Sequence, residues 1–410
     1  MQCRACGANA DLPGGPALCP ACLAVTGGEL ATGSKVSSSA LWLWTSAPAR
    51  QALATGDLGV IIKAWRAATG TNQRTLAEDI GYDPTYISMI ETGRRDIVDV
   101  DSRRRFAKHL GIPPRIIGVT DAHDADHIAM LQFGHSTLRL ATLARRNGQG
   151  ATAVNELWPL VARLEARTEQ GLVDRDLLIL LSRARAELGV SLGYVLPEER
   201  LAAAVRWTGK ALHIAERLED TNLHAYTLRV HGNELRKAGR LPAAFARLTH
   251  AAAITSPERR AAVLLQLARI THDPDAFDAT IAELRGLAEC KASGDEEGLL
   301  NPTAIREAHL RGLLATGRTR PATNLLDHPA ASGWVPPQWR IIERITIAEV
   351  LIASGDPSSA QTELAAAIAA AEEHRLPHQL QRASRAAVGT LPGIAMQAHL
   401  ALQRVTTLPP

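Results

Sequence analysis

The stretch TNQRTLAEDIGYDPTYISMIETGRR, Thr71 to Arg95, constrains the fold more than any other part of this chain. Two short runs carry apolar residues at helical spacing, Leu76, Ala77 and Ile80 in one and Ile87 and Ile90 in the other. Gly81 between them suits a tight left-handed turn. Asp83-Pro84 reads as a helix start, with Asp83 as the cap and Pro84 in the position where a missing N–H costs nothing. Ala77 is small enough for two helices to cross steeply over it. Upstream, Asp57 is expected to cap a helix running through Thr69, with Val60, Ile61, Ala64 and Trp65 on or near one face and Gly70 ending it. Trp42 and Trp44 are expected to pack down onto this unit.

These residues resemble the helix-turn-helix of the XRE, or lambda/Cro-like, repressor family over about 57–118. Gln73 opens the second helix, Ala77 and Gly81 follow it by four and eight residues, IETGRR matches the end of the recognition helix, and FAKHLGIPP matches the closing helix. The resemblance implies a structural ion pair between Arg66 and Glu91. It also implies a DNA-facing set of Gln73, Asp83, Pro84, Thr85, Tyr86, Ser88, Met89, Arg94 and Arg95. Of these, Gln73, the helix N-termini, Arg94 and Arg95 would meet phosphates, and Thr85 and Met89 base edges, flanked by Tyr86 and Ser88. The recognition helix departs from the family in offering no Arg, Asn or Gln for bidentate base contacts, so specificity would lean on thymine methyls, hydroxyls and DNA shape. The run Arg103-Arg104-Arg105 reads as a solvated helix face that could equally flank a phosphate.

Four of the five cysteines, Cys3, Cys6, Cys19 and Cys22, form a C-x2-C-x12-C-x2-C pattern. Two such knuckles make a tetrahedral four-thiolate site suited to structural Zn²⁺, with no open position for catalysis. A disulfide pairing would need an oxidising compartment that nothing in the sequence supports. Cys290 stands alone in a helical stretch and is expected to be a buried apolar residue.

Beyond about residue 126 the chain reads as helix after helix, and three windows share one pattern. Gly232, Leu235, Gly239, Ala244, Leu248 and Ala251 form the first. Leu310, Leu313, Gly317, Ala322 and Leu326 form the second, and Ala348, Leu351, Gly355, Ala360, Leu364 and Ala367 the third. Val205 to Leu218 looks like the second helix of a further unit. The pattern resembles the tetratricopeptide repeat (TPR), in which stacked helix pairs build a curved solenoid whose first helices line a groove. Asn233, Arg236 and His309 lie on such helices and are candidate groove residues.

The expected architecture is all-α: a four-cysteine zinc knuckle (1–25), a linker (26–50), a lambda-repressor-like helix-turn-helix domain (51–120) and a TPR-like α-solenoid (121–410) for sensing and dimerisation. Together these resemble XRE–TPR regulators of actinomycetes. The resemblance implies a homodimeric transcriptional regulator that binds double-stranded operator DNA and responds to a peptide or small-molecule effector. The alternative is a protein-interaction scaffold, or an architectural DNA-binding protein of the plasmid- or telomere-associated kind. No run of apolar residues reaches a membrane span, and the N-terminus lacks a secretory signal, so a cytoplasmic, nucleoid-associated protein is expected. No P-loop, GxGxxG, HExxH or nucleophile–base pattern points to an enzyme. The net charge of +3 comes from residues 1–120, which hold 13 Lys+Arg against 10 Asp+Glu, too small an excess to argue by itself for a polyanion partner.

Overall fold

The computed structural model describes residues 43–119, 122–169, 174–289, 299–328 and 335–407, and every α-helix and 3-10 turn below lies in these. The four zinc-candidate cysteines, Cys290 and Trp42 lie outside the described residues.

The N-terminal domain is built from α1 (Ala47–Ala54), α2 (Leu58–Thr69), α3 (Gln73–Ile80), α4 (Pro84–Glu91), α5 (Val100–Leu110) and a 3-10 turn at Pro114–Ile117. Each cap expected from the sequence forms. The carboxylate of Asp57 accepts from the amides of Gly59 (2.7 Å) and Val60 (3.1 Å), and Asp83 accepts from Thr85 (2.8 Å). Such caps are worth about 1 kcal/mol each. Gly70 and Gly81 end α2 and α3 in the left-handed region. Ile61, Ile62, Leu76, Ala77, Ile87, Phe106 and Leu110 are fully enclosed, each large one contributing about 1.5–3 kcal/mol of burial. Two details differ from expectation. Ile62, not Val60, completes the inner face of α2; Val60 is exposed. The folded unit also starts before residue 51, because α1 straddles that boundary and Trp44 is buried against the core, donating its indole N–H to the Leu110 carbonyl at 2.7 Å.

The remainder is a solenoid of seven helix pairs: α6 (Ala122–Arg146) with α7 (Gly150–Glu169), α8 (Arg175–Val195) with α9 (Ala202–Ala215), α10 (Thr221–Lys237) with α11 (Leu241–Ile254), α12 (Pro257–Ala268) with α13 (Pro274–Glu289), α14 (Pro302–Ala315) with α15 (Thr319–Leu326), α16 (Pro337–Ser354) with α17 (Pro357–Glu373), and α18 (Pro377–Ala387) with α19 (Pro392–Thr407). The three repeating windows fall on α10/α11, α14/α15 and α16/α17. Gly239, Gly317 and Gly355 turn the chain at positive φ, and Ala244, Ala322 and Ala360 are fully buried where the second helix packs back. First helices stack on first helices, α6 on α8, α8 on α10 and α14 on α16, which sets one face of the solenoid inward.

The two ends of the solenoid meet. The segment after α8 touches α18: the Glu198 amide donates to the Gln381 carboxamide oxygen (2.8 Å), Gln381 donates to Glu199 (2.8 Å), and Arg385 pairs with Glu198 (2.5 Å). The superhelix is therefore closed across roughly 180 residues of sequence, by these polar contacts and by Tyr194 of α8, which packs against the apolar core of α16–α19. No described helix is long and apolar enough to cross a membrane.

Candidate nucleic-acid interface and solenoid cavity

The recognition unit is braced from beneath by one buried carboxylate. Glu91, at the end of α4, receives Arg66 of α2 at 2.7 Å and the Gln73 carboxamide of α3 at 2.6 Å, so three helices are pinned at one point. The expected Arg66–Glu91 pair is present. Gln73 differs from expectation: half-buried, with its amide nitrogen on Glu91, it acts as a brace as well as sitting at the surface edge. Packing is tightest at Gly59, in the first turn of α2. A β-carbon there would run into the Ile90 carbonyl oxygen and lie 3.2 Å from Glu91 Cα. A close approach is expected from the sequence at Ala77; the structure adds one at Gly59.

Above this brace α4 presents its outer face. Pro84, Thr85 and Met89 are exposed, Tyr86 and Ser88 half-buried, and Arg94 and Arg95 exposed in the turn after the helix. Asp83 is exposed too, but its carboxylate caps α4, and hydrogen bonding to Thr85 holds it below the usual carboxylate range. Arg95 lies over the Tyr86 ring at 4.8 Å, Tyr86 stacks on Tyr82 at 5.1 Å, and Arg105 covers Tyr82 at 5.1 Å. The Arg105 guanidinium also donates to the Tyr82 hydroxyl at 2.9 Å. Two exposed guanidinium groups are thus held along one aromatic edge beside α4, where cation–π contact limits their motion. Within the basic run, Arg103 is no solvated residue: it donates to the carbonyls of Ile97 (2.6 Å) and Ile117 (2.9 Å) and locks the loop before α5 onto the 3-10 turn.

This is a helix-turn-helix domain. Residues 57–115 match the family described as "Helix-turn-helix domain". The crystal structure of Bacillus thuringiensis PlcR in complex with the peptide PapR7 and DNA is similar at 16% identity and a TM-score of 0.34, covering 66% of this chain and 95% of that one. No curated protein matches the chain.

The helix-turn-helix domain meets the solenoid at a polar junction. Asp174, the cap of α8, receives Arg115 from the 3-10 turn at 2.8 Å and His127 of α6 at 2.7 Å. Burial opposes the Asp174 charge, but the hydrogen bonds from His127 and the Leu177 amide, with Arg115, bring its pKa down to about 2. On the α1 side, the Ala47 amide donates to Glu219 at 3.1 Å.

The inward face of the solenoid encloses a cavity of about 720 Å³, lined by α6, α8, α10, α12, α14, α16 and α18. Asn233 and Arg236 line it, as expected from the sequence. His309 does not: it sits on α14 but stacks on Phe277 of α13 at 6.0 Å and accepts from Arg285 at 2.9 Å. The reason is rotational. His309 is two residues before Arg311, which does line the cavity, and two residues turn a helix by about 200°. Behind the cavity wall the fully buried carboxylate of Glu307 receives Arg269 (2.5 Å), Arg311 and Thr346 (2.8 Å). Burial opposes the Glu307 charge, and the surrounding arginines nonetheless hold it well below the usual carboxylate range.

Proposed function

We propose that this protein is a sequence-specific DNA-binding transcriptional regulator in which the solenoid is the sensor. The observation that carries the reading is the recognition unit: a Glu91-braced helix pair hinged at Gly81, with Thr85 and Met89 exposed on its outer face and Arg94, Arg95 and Arg105 beside it. Thr85 and Met89 meet base edges in the major groove, and the arginines and the backbone after Gly93 meet phosphates. With no bidentate reader on α4, shape and apolar contact with thymine methyls carry much of the specificity.

Signal passes through α6 and α8. Both line the cavity, and the N-terminal ends of both lie at the Asp174 junction, where Arg115 of the DNA-binding domain is held. A ligand that favours one curvature of the closed solenoid shifts the population of junction geometries, and with it the placement of two recognition helices in a homodimer. Phe133 and Leu140 of α6 are 72% and 64% exposed, apolar side chains available for that dimer contact. In this reading Cys3, Cys6, Cys19 and Cys22 hold a structural Zn²⁺, and the protein is cytoplasmic and nucleoid-associated. Metal analysis of the purified protein checks the first of these.

Selection of bound DNA from a random library tests the reading. A palindromic motif with half-sites about one helical turn apart is expected. Enrichment of no sequence would move the protein to the scaffold class. Light scattering that shows a monomer with and without the selected DNA would remove the dimer.

A further inference from the structure

The chemistry of the cavity goes further than a sensing role. Among the described residues eleven arginine or lysine side chains line it with one lining carboxylate, Glu187, paired with Arg145 at 2.5 Å. Carboxylates behind the wall also pair with Lys237 (Glu234), Arg269 and Arg311 (Glu307) and Arg382 (Glu349), so the cations still outnumber the carboxylates. A concave wall with an excess of one sign focuses its field on whatever enters. The cations also crowd one another: burial, with Arg269 and Arg311 close by, pulls Arg236 down to about 9. Its hydrogen bonds go to the neutral Asn233 oxygen at 3.0 and 3.3 Å.

A second, independent feature points to a ligand. Gln266 and Gln338 are each only 2% exposed, line the cavity, and have carboxamide oxygens that meet no donor among the described residues. The Nε atoms of Arg183 and Arg269, also in the lining, are buried without an acceptor among the described residues. Groups of this kind are costly unless something bonds them. What is missing is an acceptor-rich anion for the guanidinium groups and N–H or O–H donors for the two glutamines.

We propose that the solenoid cavity binds a small polyanion carrying closely spaced phosphate or carboxylate groups together with hydrogen-bond donors. Planar guanidinium forks on several helices suit both kinds of oxyanion. A ligand held between α6, α8, α10 and α12 neutralises their mutual repulsion and draws them inward, the direction that tightens the closed ring. The effector thereby acquires a chemical class, and the inference rests on the sensor reading of the solenoid.

Titration calorimetry on the full-length protein tests the proposal without DNA. Sodium pyrophosphate and sodium citrate serve as probes, the former standing for phosphate ligands and the latter for carboxylate ligands, with uncharged penta-alanine as comparison. Saturable binding of one or both anions at one per chain is expected, weakened by added salt and retained in the Arg94→Ala/Arg95→Ala protein. Arg236→Gln leaves no carboxylate unpaired and relieves repulsion. It is therefore expected to raise the melting temperature of the ligand-free protein while weakening anion binding about tenfold or more. Arg183→Gln provides a second variant with the same expected loss. Binding of penta-alanine and neither anion, or equal anion affinity in wild type and both variants, would overturn the proposal. Anion binding in a protein that binds no DNA would support the cavity assignment and remove the regulator reading. DNA binding by a protein that takes up neither anion would do the reverse.

Discussion

Gly59→Ala is the sharpest test of how the recognition unit is held. On helix propensity alone the change should stabilise α2 by up to about 1 kcal/mol, since alanine is the better helix former. The structure reverses that sign. The new β-carbon would fall inside the 3.0 Å that real β-carbons keep from the Ile90 carbonyl oxygen, and 3.2 Å from Glu91 Cα. Both obstacles are backbone, so no side chain can swing away; α2 and α4 must move apart. Overpacking of this kind costs about 1–3 kcal/mol, and with rigid obstacles the upper end applies, leaving a net loss of about 2 kcal/mol. The displacement also stretches the Arg66–Glu91 and Gln73–Glu91 contacts that brace α4. Amide exchange followed by mass spectrometry reads this directly, because protection reports the local opening free energy. Amides of α2 and α4 should exchange about 30-fold faster, while those of α14 stay unchanged. Gly70→Ala is the contrast: among the described residues nothing lies within 4 Å of its β-position, and its cost is that of φ +69. Exchange in α2 and α4 of Gly59→Ala that is unchanged or slower would refute the close approach of the two helices.

Glu307→Ala leaves Arg269, Arg311 and Arg382 around an emptied site and should lower stability by about 3–5 kcal/mol in urea melts, far more than loss of an exposed carboxylate. Histidines set the acid side of the stability profile. His309 is held down to about 4 by burial and the nearby Arg285, and His109, His213, His224 and His378 are all lowered by burial first. These groups stay neutral when folded and gain protons on unfolding, so their contribution is complete above pH 6.5 and falls as pH drops from 6.5 towards 4. Urea midpoints at pH 7 and pH 5 should show the loss, and His309→Leu should make it smaller. Glu198→Ala removes the Arg385 pair at the seam and is expected to speed exchange in α18 and enlarge the radius of gyration in solution scattering.

Local structure was legible in the sequence because its causes are local. Asp57 and Asp83 cap helices, and Gly70, Gly81, Gly239, Gly317 and Gly355 turn the chain, through interactions within a few residues. Ala244, Ala322 and Ala360 revealed the helix pairs for the same reason, because a repeated packing constraint leaves a repeated spacing. What escaped depends on distant partners. Gly59 is tight because Ile90 lies opposite it, and Arg103 is structural because the carbonyls of Ile97 and Ile117 converge on it. The cavity escaped most completely. Its lining arginines are spread over several inner helices, where each by itself reads as an ordinary solvated residue, and the seam from Glu198 to Arg385 joins segments far apart in sequence. His309 shows the converse: the right helix was identified, but not the rotation of its side chain about the axis.

The edge formed by α4 and the turn after it is expected to bind the phosphate backbone of DNA. The affinity of the full-length protein for its selected DNA, measured against salt concentration for wild type and for Arg94→Ala/Arg95→Ala, tests it most directly. Wild-type affinity should fall steeply with salt, and the double variant should bind every sequence more weakly, with a slope of log K against log salt shallower by about 2. Identical slopes and affinities for the two proteins would contradict the assignment of the interface.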